Sequence, residues 1–328
     1  MVARPLTSGA AAVALAAALA TAPAAAQSER SWTPPRTPWG DPDLRGMWPV
    51  DHMNGTPLER PPELGERRFL TDEEYAERVE RLRALNARYD QEIASHKMGM
   101  GHWVEMGEPN RLTSLVVEPA NGRLPPLTPE GERKSATMRS SWSDIPFDSV
   151  ADFNALDRCI TRGMPASMFP FMYNSGIQIM QSPGYVVIRL ELIHETRVIP
   201  VDGRPPLAPE IKLWLGESRG HWEGDTLVVE TTNFNGETPM TIVGPRNKPI
   251  PTSTSMRIVE RFTRTAEDTI EYEIEVEDPV MLTAPWKAAF PWKLDPEYEF
   301  FEYACHEDNR TIRDFITTSR YERAHRAR

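Results

Sequence analysis

Two histidines in this chain stand directly before carboxylates, as His194-Glu195 and His306-Glu307. An imidazole titrates near neutral pH, so either could move a proton in general acid–base work. Around His194 the residues alternate like a strand. Val186, Ile188, Leu190, Leu192, His194, Thr196 and Val198 fall on one face; Tyr185, Val187, Arg189, Glu191, Ile193, Glu195 and Arg197 fall on the other. One reading makes the first face the lining of an apolar pocket with His194 as its single titratable group. Arg189, Arg197 or His306 would then stabilise developing negative charge. The plainer reading makes that face ordinary core and the second face a solvated ladder of paired charges. A lone histidine on an apolar face is more often a hydrogen-bonded core residue than a catalyst.

His306 and Glu307 follow Cys305. If a strand ends at Cys305, His306 is free to turn toward a pocket mouth, alone with Glu307 or beside His194. The competing reading is a terminal turn held by a disulfide. His194, His306 and one of Glu195, Glu307 or Asp308 would also make a hydrolytic zinc set. No HExxH or His-x-His spacing is present, so each ligand would have to come from a separate strand. No cofactor is expected, with zinc as the alternative. Arg162, Tyr173 and Asn174 follow Cys159, and Arg162 with Tyr173 could hold an anionic or phenolic group or simply cap turns. Trp286 and Trp292, with Phe290, could wall an aromatic or terpenoid ligand or cover a barrel end. The run Met98-Gly99-Met100-Gly101-His102 reads as a loop, with copper binding as its alternative. A Gly-rich phosphate loop, a G-x-S-x-G elbow and an S-x-x-K pair are all absent, which argues against nucleotide use and a standard serine hydrolase.

The elements that must position these residues are mostly strands. Thr71-Asp72-Glu73-Glu74 is a capping box, and Tyr75, Val79, Leu82, Leu85 or Asn86, and Tyr89 recur at helical spacing, predicting a helix to about Ile93. From residue 112 the period changes to two. Strands are predicted at Thr113–Glu118, Gly176–Gln181, Tyr185–Arg197, Ile211–Leu215, Gly220–Trp222, Thr226–Asn233, Met256–Thr263, Thr269–Val276 and Tyr298–Cys305. A short helix over Thr311–Ser319 closes the chain. The expected fold is mainly β: an antiparallel β-barrel, lipocalin-like in broad shape, with an extended N-terminal arm and one or two helices. The expected divisions are a leader over 1–26, a Pro/Trp-rich arm over 27–69, a helix and loop over 70–110, and a β-rich domain over 111–328.

Arg4, the apolar stretch Gly9–Ala22 and Ala24-Ala25-Ala26 have the three parts of a secretory signal, placing the cut before Gln27. Fourteen weakly apolar residues are too few for a bilayer span, which needs roughly 20. Loss of Arg4 takes the 37 basic residues to 36 against 48 acidic, and the net charge from −11 to −12. Such a body is a poor match for nucleic acid, and no later segment is apolar enough for membrane insertion. The 31 prolines argue for ordered loops over a helical bundle. The only two cysteines, Cys159 and Cys305, read as a disulfide in an oxidising compartment, the periplasm or outside the cell. Closing so long a loop contributes about 4–5 kcal/mol in the chain-entropy account.

The string Gly220-His221-Trp222-Glu223-Gly224-Asp225-Thr226-Leu227-Val228-Val229-Glu230-Thr231-Thr232-Asn233-Phe234 resembles the hallmark of a large family of exported bacterial proteins without a settled activity. The resemblance extends to Arg123–Pro129, Arg158–Gly163, His194–Arg197, Val259–Phe262 and Tyr303–Glu307, and so covers most of the chain after the leader. It implies export and transfers no catalytic residues. Glu307 is followed by Asp308-Asn309 where the family form has Gly-Asn, which puts the local turn in question. The functions expected are a cofactor-independent lyase, isomerase or hydrolase acting on a small hydrophobic or aromatic molecule through His194, or a carrier of such a molecule. A zinc-dependent hydrolase is the third reading.

Overall fold

Thr71 opens the first helix as its capping box predicts: its hydroxyl accepts from Glu74 N, and the Glu74 carboxylate accepts from Thr71 N. In this computed structural model, which describes residues 32–96, 99–144, 146–241 and 249–326, that helix, α1, covers Asp72–Ala94. The expected leader and the first residues of the arm lie outside the described residues, as does Met98 of the Met/Gly/His run. Two further helices follow, α2 (Pro129–Thr137) and α3 (Thr311–Arg326), the first unforeseen and the second longer than expected.

The strands, in chain order, are β1 (Gly46–Met47), β2 (Val116–Glu118), β3 (Ile177–Ser182), β4 (Tyr185–Leu190), β5 (Thr196–Pro200), β6 (Glu217–Glu223), β7 (Thr226–Thr232), β8 (Pro239–Thr241), β9 (Ile250–Pro251), β10 (Arg257–Ala266), β11 (Thr269–Glu277) and β12 (Trp286–Lys293). Among the described residues all pairings between these strands are antiparallel. A four-stranded sheet runs β1-β3-β4-β5, a six-stranded sheet β2-β12-β11-β10-β7-β6, and β8 pairs with β9 alone. Among the described residues the ladders do not close into a ring, so the fold is mainly β with antiparallel sheets. The string Gly220–Phe234 largely forms the β6–β7 hairpin, turning at Glu223-Gly224-Asp225-Thr226.

One core lies between the two larger sheets. Ile177, Ile179, Val186, Ile188 and Ile199 face it from one side; Phe262, Tyr272, Trp286, Phe290 and Trp292 face it from the other. Each such side chain contributes about 1.5–3 kcal/mol on full burial. Trp48, in the arm, is fully buried and donates from Nε1 to Leu44 O at 2.9 Å. The arm therefore does lay a tryptophan on the body.

Three expectations fail for local reasons. The single strand Tyr185–Arg197 is instead the hairpin β4–β5, with Ile188 opposite Arg197. Glu191–Glu195 make the turn, and Ile193 and His194 take the left-handed φ values of 61° and 47°. A β-branched residue there is a genuine outlier. The turn also reverses the alternation. Even residues are buried in β4, but odd ones, including Arg197 and Ile199, are buried in β5. Second, Ile211–Leu215 contributes only the bridge Leu213–Phe234, and Tyr298–Cys305 forms no strand. Third, β12 was missed. Pro291 disguised it, yet β2 pairs only at Lys287 and Ala288, so the missing N–H costs no ladder bond.

Candidate functional site

Arg197 and Arg162, two of the residues singled out by type, end in opposite environments. Arg197 lies fully buried between the sheets. Its Nη1 donates to Glu260 Oε1 at 2.9 Å, its Nη2 pairs with Glu260 Oε2, and Nη2 also reaches Ser218 Oγ and Thr231 Oγ1, each at 3.2 Å. Tyr272 OH donates to Glu260 Oε1 at 2.8 Å. Desolvation pulls the Arg197 guanidinium down, but the charge and hydrogen bonds of Glu260, with the smaller pulls of Tyr272 and Glu195, together leave the group above its ordinary value. Burial drives Tyr272 well above its own. This knot ties β5, β6, β7, β10 and β11 together. Buried and paired with Glu260 in this way, Arg197 is not a rung of a solvated ladder, and it does not line the cavity beneath α1 described below.

His194 is exposed, and its Nδ1 lies 2.9 Å from Tyr303 O; because a carbonyl only accepts, Nδ1 carries the proton. Its ring centroid is 6.4 Å from that of His306, which with Glu307 is also exposed. The two histidines thus approach each other as expected, but on the surface, and the apolar face assigned to His194 belongs to β4 alone. Among the described residues, no three His, Cys, Asp or Glu side chains converge in a way that could hold a metal ion, so the proposed zinc set is not assembled. Glu195 points away from both histidines: it is buried, accepts from Ser167 Oγ at 3.0 Å, and is raised in pKa mainly by burial. The disulfide Cys159–Cys305 is formed and anchors the segment that carries His306.

The remaining expectations also separate. Trp286 and Trp292 are 1% and 0% exposed, and Trp292 packs on Tyr272 and Phe262 as core. They belong to the core and do not line the cavity described below. The Arg189 guanidinium lies over the Phe300 ring at 4.3 Å. Asn174, in the left-handed region at φ 53°, donates to Glu191 Oε1 at 2.7 Å. Glu191 also accepts from Tyr298 OH at 2.7 Å, and these bonds hold the strained turn. Tyr173 packs edge-on against Phe171 and hydrogen-bonds Tyr303, whose hydroxyl burial pushes above its usual range.

Arg162 faces a different space. A cavity of about 380 Å³ lies beneath α1, lined by that helix, by residues 53–58 and 104–107, by the segment 162–172, and by Met240 and Thr241 of β8. Leu82, Leu85, Asn86 and Tyr89 line it from α1 at i, i+3, i+4 and i+7. The helical stripe that the sequence displays therefore covers a void. Met53, Leu58, Leu115, Phe169 and Phe171 supply most of the opposite wall. Gly107 lets the 104–107 segment lie against Asn54, since a Cβ there would fall 1.9 Å from Asn54 O.

Two charged residues line this cavity among the described residues. Arg162 stacks its guanidinium on Phe171 at 4.3 Å, and Nη1 donates to Phe169 O at 3.0 Å. Among the described residues it has no carboxylate within 4 Å, and its buried Nε meets no acceptor. Desolvation lowers its pKa to about 10, leaving it charged at neutral pH. Glu105 accepts from Ser175 N, at 3.0 Å to Oε2, and from Tyr298 OH at 3.2 Å, and burial raises its pKa. Thr241, 7% exposed, has a buried hydroxyl without a partner among the described residues. Sequence reading named Arg162 but missed Glu105 and Thr241, which carry no motif. The one available signal was the α1 stripe, whose meaning depends on what packs beneath it. No family model, curated protein or solved structure matches the chain.

Proposed function

We propose that this protein is a binding protein that holds a small, largely apolar molecule in the cavity beneath α1. The observation that carries this reading is an apolar space of about 380 Å³ with a few polar groups in its wall, Arg162, Thr241 and Glu105 among them. Ligand sites have this composition: apolar surface for affinity, and sparse polar groups for orientation. Burial of a guest contributes roughly 25 cal/mol per Å² of apolar surface, offset by the cost of immobilising it. The leader over 1–26 and the resemblance of the Gly220–Phe234 string support an exported protein, periplasmic or secreted. A barrel-like wrapping of the two sheets belongs to the same reading. At Gly220 of β6 a Cβ would lie 2.8 Å from Val201 Cγ1, so the residue that follows β5 rests directly on β6.

Titration with N-phenyl-1-naphthylamine, a neutral apolar dye, tests the cavity directly. Fluorescence enhancement that saturates at one dye per chain is expected, together with about 10-fold weaker binding in Leu82→Trp, which fills the space from α1. Dye affinity unchanged in Leu82→Trp would place the guest elsewhere and remove the reading.

A second reading keeps an enzyme in the same cavity, with Glu105 in the acid–base role once assigned to His194. Its support is the position of the carboxyl in the wall and the upward push on its pKa. A bound guest recovered chemically unchanged after prolonged incubation favours the carrier. Conversion that is lost in Glu105→Gln favours the enzyme.

A further inference from the structure

We infer that the guest is a monocarboxylic acid with an apolar body, its carboxylate held by the Nε–Nη2 edge of Arg162 and the hydroxyl of Thr241, its body lying under Leu82 and Leu85. The inference rests on the binding reading above and names the class of ligand for that cavity.

The argument starts from hydrogens that have nowhere to go. Arg162 Nη1 is committed to Phe169 O. Neither nitrogen on the opposite edge of the guanidinium meets an acceptor among the described residues, and Nε is buried. Those two N–H groups point the same way and match the two oxygens of a carboxylate. Thr241 adds a second unpaired donor, in a residue of the same wall. A buried donor without an acceptor carries a desolvation cost that an incoming acceptor removes. The guanidinium is also held in place before any ligand arrives, by the Phe171 ring on its face and the Phe169 carbonyl at its end.

The charge count narrows the class. Among the described residues, Arg162 is the only cationic one lining the cavity, and the only other charged one is Glu105. Glu195 and Tyr173 also act on Arg162 electrostatically, but Glu195 stays beyond 4 Å and is engaged by Ser167 and Thr161. One cation beside a carboxyl group suits a single negative charge and disfavours a dianion such as a phosphate monoester. Glu105 does not compete for the acid's role as acceptor, because its oxygens already take the Ser175 N–H and the Tyr298 hydroxyl. The rest of the wall is mostly apolar, with Leu, Met and Phe side chains prominent and Asn54, Thr56 and Asn86 as its uncharged polar members, which fits a hydrocarbon body.

Calorimetric titration of the whole protein with decanoate and with decanol at neutral pH separates head from body. Decanoate is expected to bind about 10-fold or more tightly than decanol. That preference should fall to near unity in Arg162→Leu and by several-fold in Thr241→Val, a near-isosteric change that keeps the fold if the arginine variant does not. Equal affinity for acid and alcohol in the unaltered protein overturns the assignment of the head group while leaving the cavity occupied. A preference that survives both substitutions overturns it equally. If neither compound binds while the naphthylamine dye does, the acid is the wrong class. If the dye fails as well, the binding reading itself falls.

Discussion

Two desolvated arginines, Arg197 buried and Arg162 half-buried, divide this molecule into a part that holds itself together and a part that lacks a counter-charge. Arg197 lies among Glu260, Ser218, Thr231 and Tyr272, with a counter-charge in bidentate contact. Arg162 lies against Phe171 and a single carbonyl, with no carboxylate within 4 Å among the described residues. Burial alone says nothing about function, since both are desolvated. What differs is the counter-charge: each guanidinium keeps a buried Nε without an acceptor, but among the described residues only Arg197 has a carboxylate on its Nη groups. A charge-balanced network specifies the fold and gives its arginine little call for a further anion. An arginine without a counter-charge beside an apolar cavity is what the proposed binding function rests on.

The largest effect should come from breaking the charge-balanced network. Glu260→Ala leaves the Arg197 charge buried and unpaired and is expected to cost about 3–5 kcal/mol in denaturant unfolding. Replacing the whole knot with apolar groups, as Arg197→Met with Glu260→Leu and Tyr272→Phe, should recover most of that loss. Including Tyr272 matters, because its hydroxyl would otherwise lose its acceptor. If the triple variant is no more stable than Glu260→Ala, the knot contributes through something other than charge balance, and the contrast with Arg162 weakens.

Arg162→Leu should behave in the opposite way. It removes an unbalanced desolvated charge and one hydrogen bond, so the expected change in stability is within about 1 kcal/mol in either direction. Its effect should appear instead in ligand preference. A destabilisation as large as that of Glu260→Ala would mean that Arg162 is a structural residue after all, and the distinction between the two arginines would be lost.

The uneven legibility of the sequence follows from what each feature depends on. Thr71 through Tyr89 could be read directly, because capping and helical spacing are local properties of the chain. The β6–β7 and β10–β11 hairpins were equally plain from their alternation and their turns. The Cys159–Cys305 pairing needed only a count of two. The β4–β5 turn was invisible, because it is made by Ile193 and His194 in a conformation neither residue prefers, imposed by the bonds of Glu191 to Asn174 and Tyr298. That one turn moved Arg197 inward and left His194 outside. The site suffered more than the fold for the same reason. Arg162, Glu105 and Thr241 come from three separate segments, and nothing in the spacing of one announces the others.

The smallest effect concerns His52, which lies between the two regions. Its Nε2 donates to Pro291 O of β12 at 3.1 Å, while the next residue, Met53, lines the cavity. Burial depresses its pKa below the ordinary 6.5, and the Pro291 bond with the charges of Asp51 and Glu108 only partly opposes this. The sign follows from which state takes up the proton first. Above the ordinary value the ring is neutral in both states and contributes no slope. As the pH falls below it, the unfolded chain is protonated before the folded one, so folding loses stability until the pH drops through the depressed folded value. His52→Gln keeps a donor for Pro291 O and cannot titrate. Unfolding free energies of the two proteins compared between neutral pH and the carboxylate range should therefore diverge just below pH 6.5, with the glutamine variant losing less. Parallel curves would mean that the ring is as well hydrated folded as unfolded, and that the seam between sheet and cavity is open to water.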